Sequence, residues 1–305
     1  MGRGRMSVWL LCAAMAALAC MSTVQGAAGA SPRVEADMLV TGRITIERDG
    51  TVSGWTLDRR DRLPREVVEL IDESLPSWRF EPVLVDGPPV RGTTAMRLSL
   101  HARPMPDGGH GALIADARFG LAAKPARVTQ PEEWAARIEQ DTDFLVAFSM
   151  TPPAYPVQAA RDGFTGTVHM AVRVGRGGQV EDVVAEQVNL RKRSSTRVMR
   201  QVRNLFEQAA LDAAREWTFR VPSTGEQAAL PYWTMRTTVD FELGIPLEPD
   251  DPRNYDRWRA YYAGPRTPVH WQIDAAEAGI PYALRPGDIH VAGTGLRLLT
   301  PLDGG

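Results

Sequence analysis

The side chains best equipped for chemistry are few and scattered. Five histidines, His101, His110, His169, His270 and His290, stand far apart in the chain. A zinc site wants two ligands a turn or a short loop apart, with more ligands elsewhere, and no such spacing occurs. The alternation around Val168, Met170 and Val172 puts His169 on the other face of its strand, which predicts a solvent-facing histidine. Glu248, Asp250 and Asp251 cluster without the Asp-x-Asp-x-Asp-Gly order of a calcium loop and read as a solvated loop. Cys12 and Cys20 are the only cysteines, so the chain beyond them has no disulfide and no thiol nucleophile. A Gly-x-Ser-x-Gly elbow, a phosphate loop and a dinucleotide fingerprint are all absent. With no activated nucleophile and no paired acid and base to name, the expectation is a protein that is not an enzyme and has no catalytic, cofactor-binding or metal-binding residues. The densest charge is Arg191-Lys192-Arg193 with Arg197, Arg200 and Arg203. It reads as a solvated helix start, against the alternative of a docking patch for an acidic partner or a phospholipid surface. A formal net charge of −2 argues against a global attraction to nucleic acid.

The elements that would position such residues are clearest from Pro152 to Leu243. Val168, Met170, Val172 and Val174 alternate, the cluster Gly175-Arg176-Gly177-Gly178 supplies a hairpin turn, and a second strand runs from Val180 to Val188. Val198, Val202, Leu205, Phe206, Ala209, Ala213 and Trp217 recur every three or four residues, the mark of one apolar helix face. A strand from Met235 to Leu243 closes the stretch. A shorter copy precedes it. Thr41 to Ile46 alternates like Thr165 to Met170, and Asp49-Gly50 makes the turn. Pro64 opens a helix with Val67, Leu70, Ile71 and Leu75 on one face, and Trp78-Arg79-Phe80 parallels Trp217-Thr218-Phe219. Aligning Gly42 with Gly166 and Met96 with Met235 gives an internal duplication, with 36 positions from Gly42 to Trp78 against 51 from Gly166 to Trp217. The surplus is expected around Asn189 to Met199. Trp78 and Trp217, at helix-to-strand junctions, are expected to be core anchors.

This order of motifs resembles the C-terminal domain of the TonB family of periplasmic energy transducers. Tyr155-Pro156, Gly166-Thr167-Val168, Gly178-Gln179-Val180, Ala209 to Asp212, Trp217-Thr218-Phe219 and Val239-Asp240-Phe241 carry the likeness, over roughly a third of the chain. The resemblance implies an α+β fold class of two small TonB-C-terminal-like domains, each a short antiparallel sheet with helices packed on one face. The expected division is a signal peptide (1–30), a degenerate first repeat (33–102) and a linker (103–130). A second domain (131–245) and an irregular C-terminal extension (246–305) follow, the extension holding an aromatic helix (Tyr255, Trp258, Tyr261, Tyr262) and a tail strand between Asp288 and Leu302. A capping box at Thr129–Glu132 and a helix with Trp134 and Ile138 are expected to open the second domain.

What the resemblance implies for function is an interaction module. Family members take up an extended segment of an outer-membrane receptor beside the last strand, and the positions carried over are Tyr155, Pro156, Thr234, Arg236, Thr238, Asp240 and Phe241. The expected partners are envelope or outer-membrane protein segments, with no nucleic acid and no cofactor. Arg3 and Arg5, the apolar run Val8 to Met21 and the small residues after it read as a signal peptide, which places the protein in the periplasm. Two alternatives stay open. Retention of this segment would give an atypical inner-membrane energy transducer, and acylation at Cys20 would give a structural envelope lipoprotein or scaffold.

Overall fold

The computed structural model describes residues 34–84, 87–104, 110–120, 143–244, 257–273, 289–292 and 296–302. The Met1–Ala30 segment with both cysteines, the capping box at Thr129–Glu132 with Trp134 and Ile138, Tyr255 and the acidic cluster at 248–251 lie outside them.

The first copy is a hairpin of β1 (Val34–Ile46) and β2 (Val52–Leu57), then α1 (Arg65–Ser74), then β3 (Gly92–Pro104) returning on the other side of β1. β4 (His110–Phe119) lies beside β3. The second copy repeats the plan. β6 (Gly166–Gly175) and β7 (Val180–Leu190) form the hairpin, α3 (Thr196–Arg215) follows, and β9 (Tyr232–Phe241) returns beside β6. β5 (Val146–Ser149), α2 (Val157–Arg161) and β8 (Thr218–Arg220) attach to this copy, β5 pairing with β8. β10 (Arg259–Tyr262) and β11 (Ile289–Val291) complete the strands.

The fold is α+β, a large antiparallel sheet with few helices. Two separate small sheets were the expectation; the described residues instead form one nine-stranded sheet in the order β11-β9-β6-β7-β10-β1-β3-β4, with β2 also on β1. The joint is β10, which pairs with Val34 to Asp37 of β1 and, through Tyr262, with Leu190 of β7. The aromatic stretch is therefore strand at Arg259–Tyr262 where helix was expected. Its spacing fits a helix, but the open edges of β1 and β7 offer ladder hydrogen bonds that an isolated short helix cannot match. The extension also reaches the first copy, where Glu81 donates to Arg297 and Leu299 to Arg79.

The duplication is visible in the hairpins. A bulge between Thr45 and Ile46 recurs between Arg173 and Val174. Gly50 (φ 82°) and Gly178 (φ 79°) both occupy the left-handed region. An added Cβ would fall 2.1 Å from the Phe80 carbonyl oxygen in one and 2.0 Å from that of Phe219 in the other. Only glycine meets both demands. This anchor corrects the alignment read from sequence. It equates Ile46 with Val174, so Gly42 matches Met170 rather than Gly166, and Met96 matches Thr237 rather than Met235. The surplus in the second copy is not one insert either: β7 has 11 residues against 6 in β2, and α3 has 20 against 10 in α1.

Each copy buries its own apolar face under its helix. Met38, Val40, Ile44 and Ile46 pack with Val67, Ile71, Trp78 and Phe80 in the first, and Val168, Met170, Val172 and Val174 with Val202, Phe206, Trp217 and Phe219 in the second. The α3 stripe explains itself, since Val202, Phe206, Ala210 and Ala214 sit four apart and face β6 and β7.

Candidate strand-acceptor edge and buried polar face

β9 alternates as its neighbours require. Trp233, Met235 and Phe241 face the helix-side core, and Thr234, Arg236, Thr238 and Asp240 face the other way. Its inner edge is paired with β6 from Tyr232 to Phe241. Its outer edge, where the resemblance puts a partner segment, holds β11 over three pairs, Ile289 with Thr237, His290 with Arg236 and Val291 with Met235. One further bond runs from the Ala292 amide to the Thr234 carbonyl. Ile289 and Val291 are buried in the second core.

The seven residues carried over by resemblance do not form one exposed site. Tyr155 lies edge-to-face on Phe206 and Phe241, with ring centroids at 5.8 and 5.4 Å, and its hydroxyl donates to the Phe164 carbonyl. Pro156 caps α2. Phe241 stacks on Phe206 at 4.3 Å. These three anchor α2 and α3 on the sheet. Thr234, Arg236 and Thr238 are buried, and Asp240 is half-buried. The edge they share is a backbone feature, and their side chains point into the molecule's polar face.

That face is the second feature sequence reasoning missed. Arg236 donates from Nε to Glu186 Oε2 at 2.9 Å and from Nη2 to Oε1 at 3.0 Å, with both side chains nearly without solvent contact. Trp271 Nε1 donates to Thr234 Oγ1 at 3.0 Å. The amide of Gly264 donates to Asn189 at 3.1 Å, and Gln187 donates to the Gly264 carbonyl at 2.9 Å. His169, expected in solvent, is 7% exposed beside Asn189. The sheet's curl explains the difference: its two ends approach on this side, where Arg118 on β4 donates to His290 on β11 at 2.7 Å. A period-2 pattern fixes which face a residue is on but cannot say that the sheet bends over that face.

A small cavity of about 70 Å³ opens here between β1, β6, β7, β9 and β10, lined by Asp37, His169, Arg191, Asp240, Arg259 and Tyr261, among others. Arg191 pairs with Asp240 at 3.3 Å and also with Glu242. Burial raises the Asp37 carboxyl to about 6, against the lowering pull of Arg259 and Arg191. Burial likewise pushes His169 down to about 4. Burial works against the charge on Arg191, but Asp240 and Glu242 more than offset it and hold its pKa up. The cavity is far below the roughly 300 to 1,000 Å³ of small-molecule pockets, and its charges are internally matched.

Among the described residues, no group of three or more histidines, cysteines or acids is placed to hold a metal ion, and no helix is long and apolar enough to cross a membrane. The chain matches no family model, no curated protein and no solved structure.

Proposed function

We propose that this is a non-enzymatic periplasmic protein of TonB-C-terminal type, with two degenerate repeats, that binds extended segments of envelope or outer-membrane proteins by strand addition. The observation that carries the reading is the outer edge of β9. It is a ten-residue strand whose far side is occupied over only three pairs, by a segment from the far end of the chain. Backbone N–H and C=O groups along such an edge accept an extended chain, and alternate side chains set its preference. In this reading β11 is a stand-in for the partner, and an incoming segment displaces it. A second reading, an envelope scaffold in which β11 stays in place, draws on the burial of Ile289 and Val291.

The test uses a variant with Ile289→Asp and Val291→Asp, which unseats β11. A fluorescent peptide copying the extended N-terminal segment of an outer-membrane receptor is titrated against it, beside the same peptide with a central proline. Strand addition gives saturable binding that proline abolishes, because proline removes the ladder donor. Binding equal for both peptides, or none to a folded variant, overturns it. The N-terminal mass of the protein from fractionated cells separates the anchoring alternatives. A free start between Ala27 and Ser31 in the soluble periplasm is expected, an intact Met1 in the inner membrane would indicate a transducer, and acylated Cys20 a lipoprotein.

A further inference from the structure

The margin of β7 away from β6 carries a different feature. A groove of about 260 Å³ runs between α3 and the segment at 265–267, with Ala185 and Val188 among its lining residues. Arg203 is half-buried in its wall. Its Nε donates to the Val188 carbonyl at 3.1 Å, and its Nη2 to the carbonyls of Tyr262 at 3.0 Å and Ala263 at 3.1 Å. All three acceptors are neutral, and burial alone lowers the Arg203 pKa, with no carboxylate acting in the other direction. Its Nη1 has no acceptor among the described residues. Arg200, one turn earlier and exposed, has no ion pair there either. Glu207, one turn later, is the only acid lining the groove, so two guanidinium groups face one carboxylate. A half-buried cation held only by carbonyls still gains from an anion at its open side.

We propose that this groove is a binding site for a carboxylate carried on a short apolar body. The carboxylate lies between Arg200 and Nη1 of Arg203, and the apolar part lies on Ala185, Val188 and Pro265. A guanidinium fork suits a carboxylate, and Glu207 disfavours polyanions. The recess between helix and sheet edge suits a small group rather than a flat lipid surface. The site is separate from the β9 edge and stands whether or not that edge binds a partner.

The test is a titration of the full chain with sodium butyrate at constant ionic strength, followed by amide chemical shifts. Saturable shifts at Arg200 and Thr267 are expected. Arg200→Gln, an exposed position, should weaken binding about tenfold or more, the effect of one charge-assisted hydrogen bond. Glu207→Gln should tighten it. Shifts that fail to saturate, equal binding of inorganic phosphate, or unchanged affinity in Arg200→Gln would each overturn the proposal.

Discussion

The two halves of the sheet share a plan and differ in how their outer edges are closed. In the first, β3 is flanked from Met96 to Pro104 by β4, the next strand in the chain. In the second, the matching edge of β9 is flanked from Met235 to Thr237 by β11, which arrives from far along the sequence. A hairpin closes cheaply and gains many ladder bonds, whereas a remote strand closes a long loop for three pairs. The same duplicated architecture thus holds one sealed edge and one lightly covered edge. The polar faces differ as well. The register position of Arg236 is held by Ala95 in the first half, and that of His169 by Thr41, which donates to Asp58 at 2.5 Å. The second half therefore carries the buried charge and the weaker closure together.

The largest effect should come from breaking that buried charge. Glu186→Ala strands the Arg236 guanidinium, and urea unfolding should show a loss of about 3 to 5 kcal/mol. Replacing both partners with apolar residues, Glu186→Leu with Arg236→Met, should recover much of it. A loss under about 1 kcal/mol from the single change would mean that the polar face is open to water, which would erase this contrast between the halves.

A smaller and matched effect is expected at the hairpin turns. Gly50→Ala and Gly178→Ala each force a Cβ into a carbonyl oxygen at positive φ, and each should cost about 1 to 3 kcal/mol. Thermal unfolding of the two variants sharpens the comparison. Similar losses support equivalent turns, while tolerance at one position alone would mean that the copies are no longer built alike there.

Much of this plan was legible in the sequence. The apolar alternation of β6, the stripe of α3 and the glycine turns each have a local cause, and the positions of Trp78 and Trp217 at helix ends place them in the two cores, where each is 3% exposed. The register between copies was not legible, because Gly42 and Gly166 both lie close under a partner-strand carbonyl while standing at different positions from the turn. Nor was the joint at β10, since an aromatic run at helical spacing also serves as a strand once two open edges flank it. The polar face lay hidden for a related reason. His169 and Arg236 look solvent-facing on a flat sheet, and only the approach of β4 to β11 buries them.

The smallest effect is a change of slope rather than of height, and it tests whether the cleft between the halves is closed. Asp37 on β1 has its pKa raised by burial from 3.8 to about 6, so between those values the folded state holds a proton that the unfolded state has lost. Its contribution therefore falls as pH rises. His169 on β6 has its pKa lowered by burial from 6.5 to about 4, so the folded state lacks a proton that the unfolded state holds, and its contribution grows as pH rises. From about pH 4 to about pH 6 the two slopes oppose each other and nearly cancel. Asp37→Asn should then make stability rise with pH more steeply than in the parent protein, by up to about 1.4 kcal/mol per pH unit. His169→Gln should tilt it the other way by a similar amount. Urea unfolding at half-unit pH steps reads both. Opposite tilts mean that each group is titrating in a cleft sealed by both halves of the sheet; parallel curves for parent and variants mean that water reaches both groups and that the halves do not close over them.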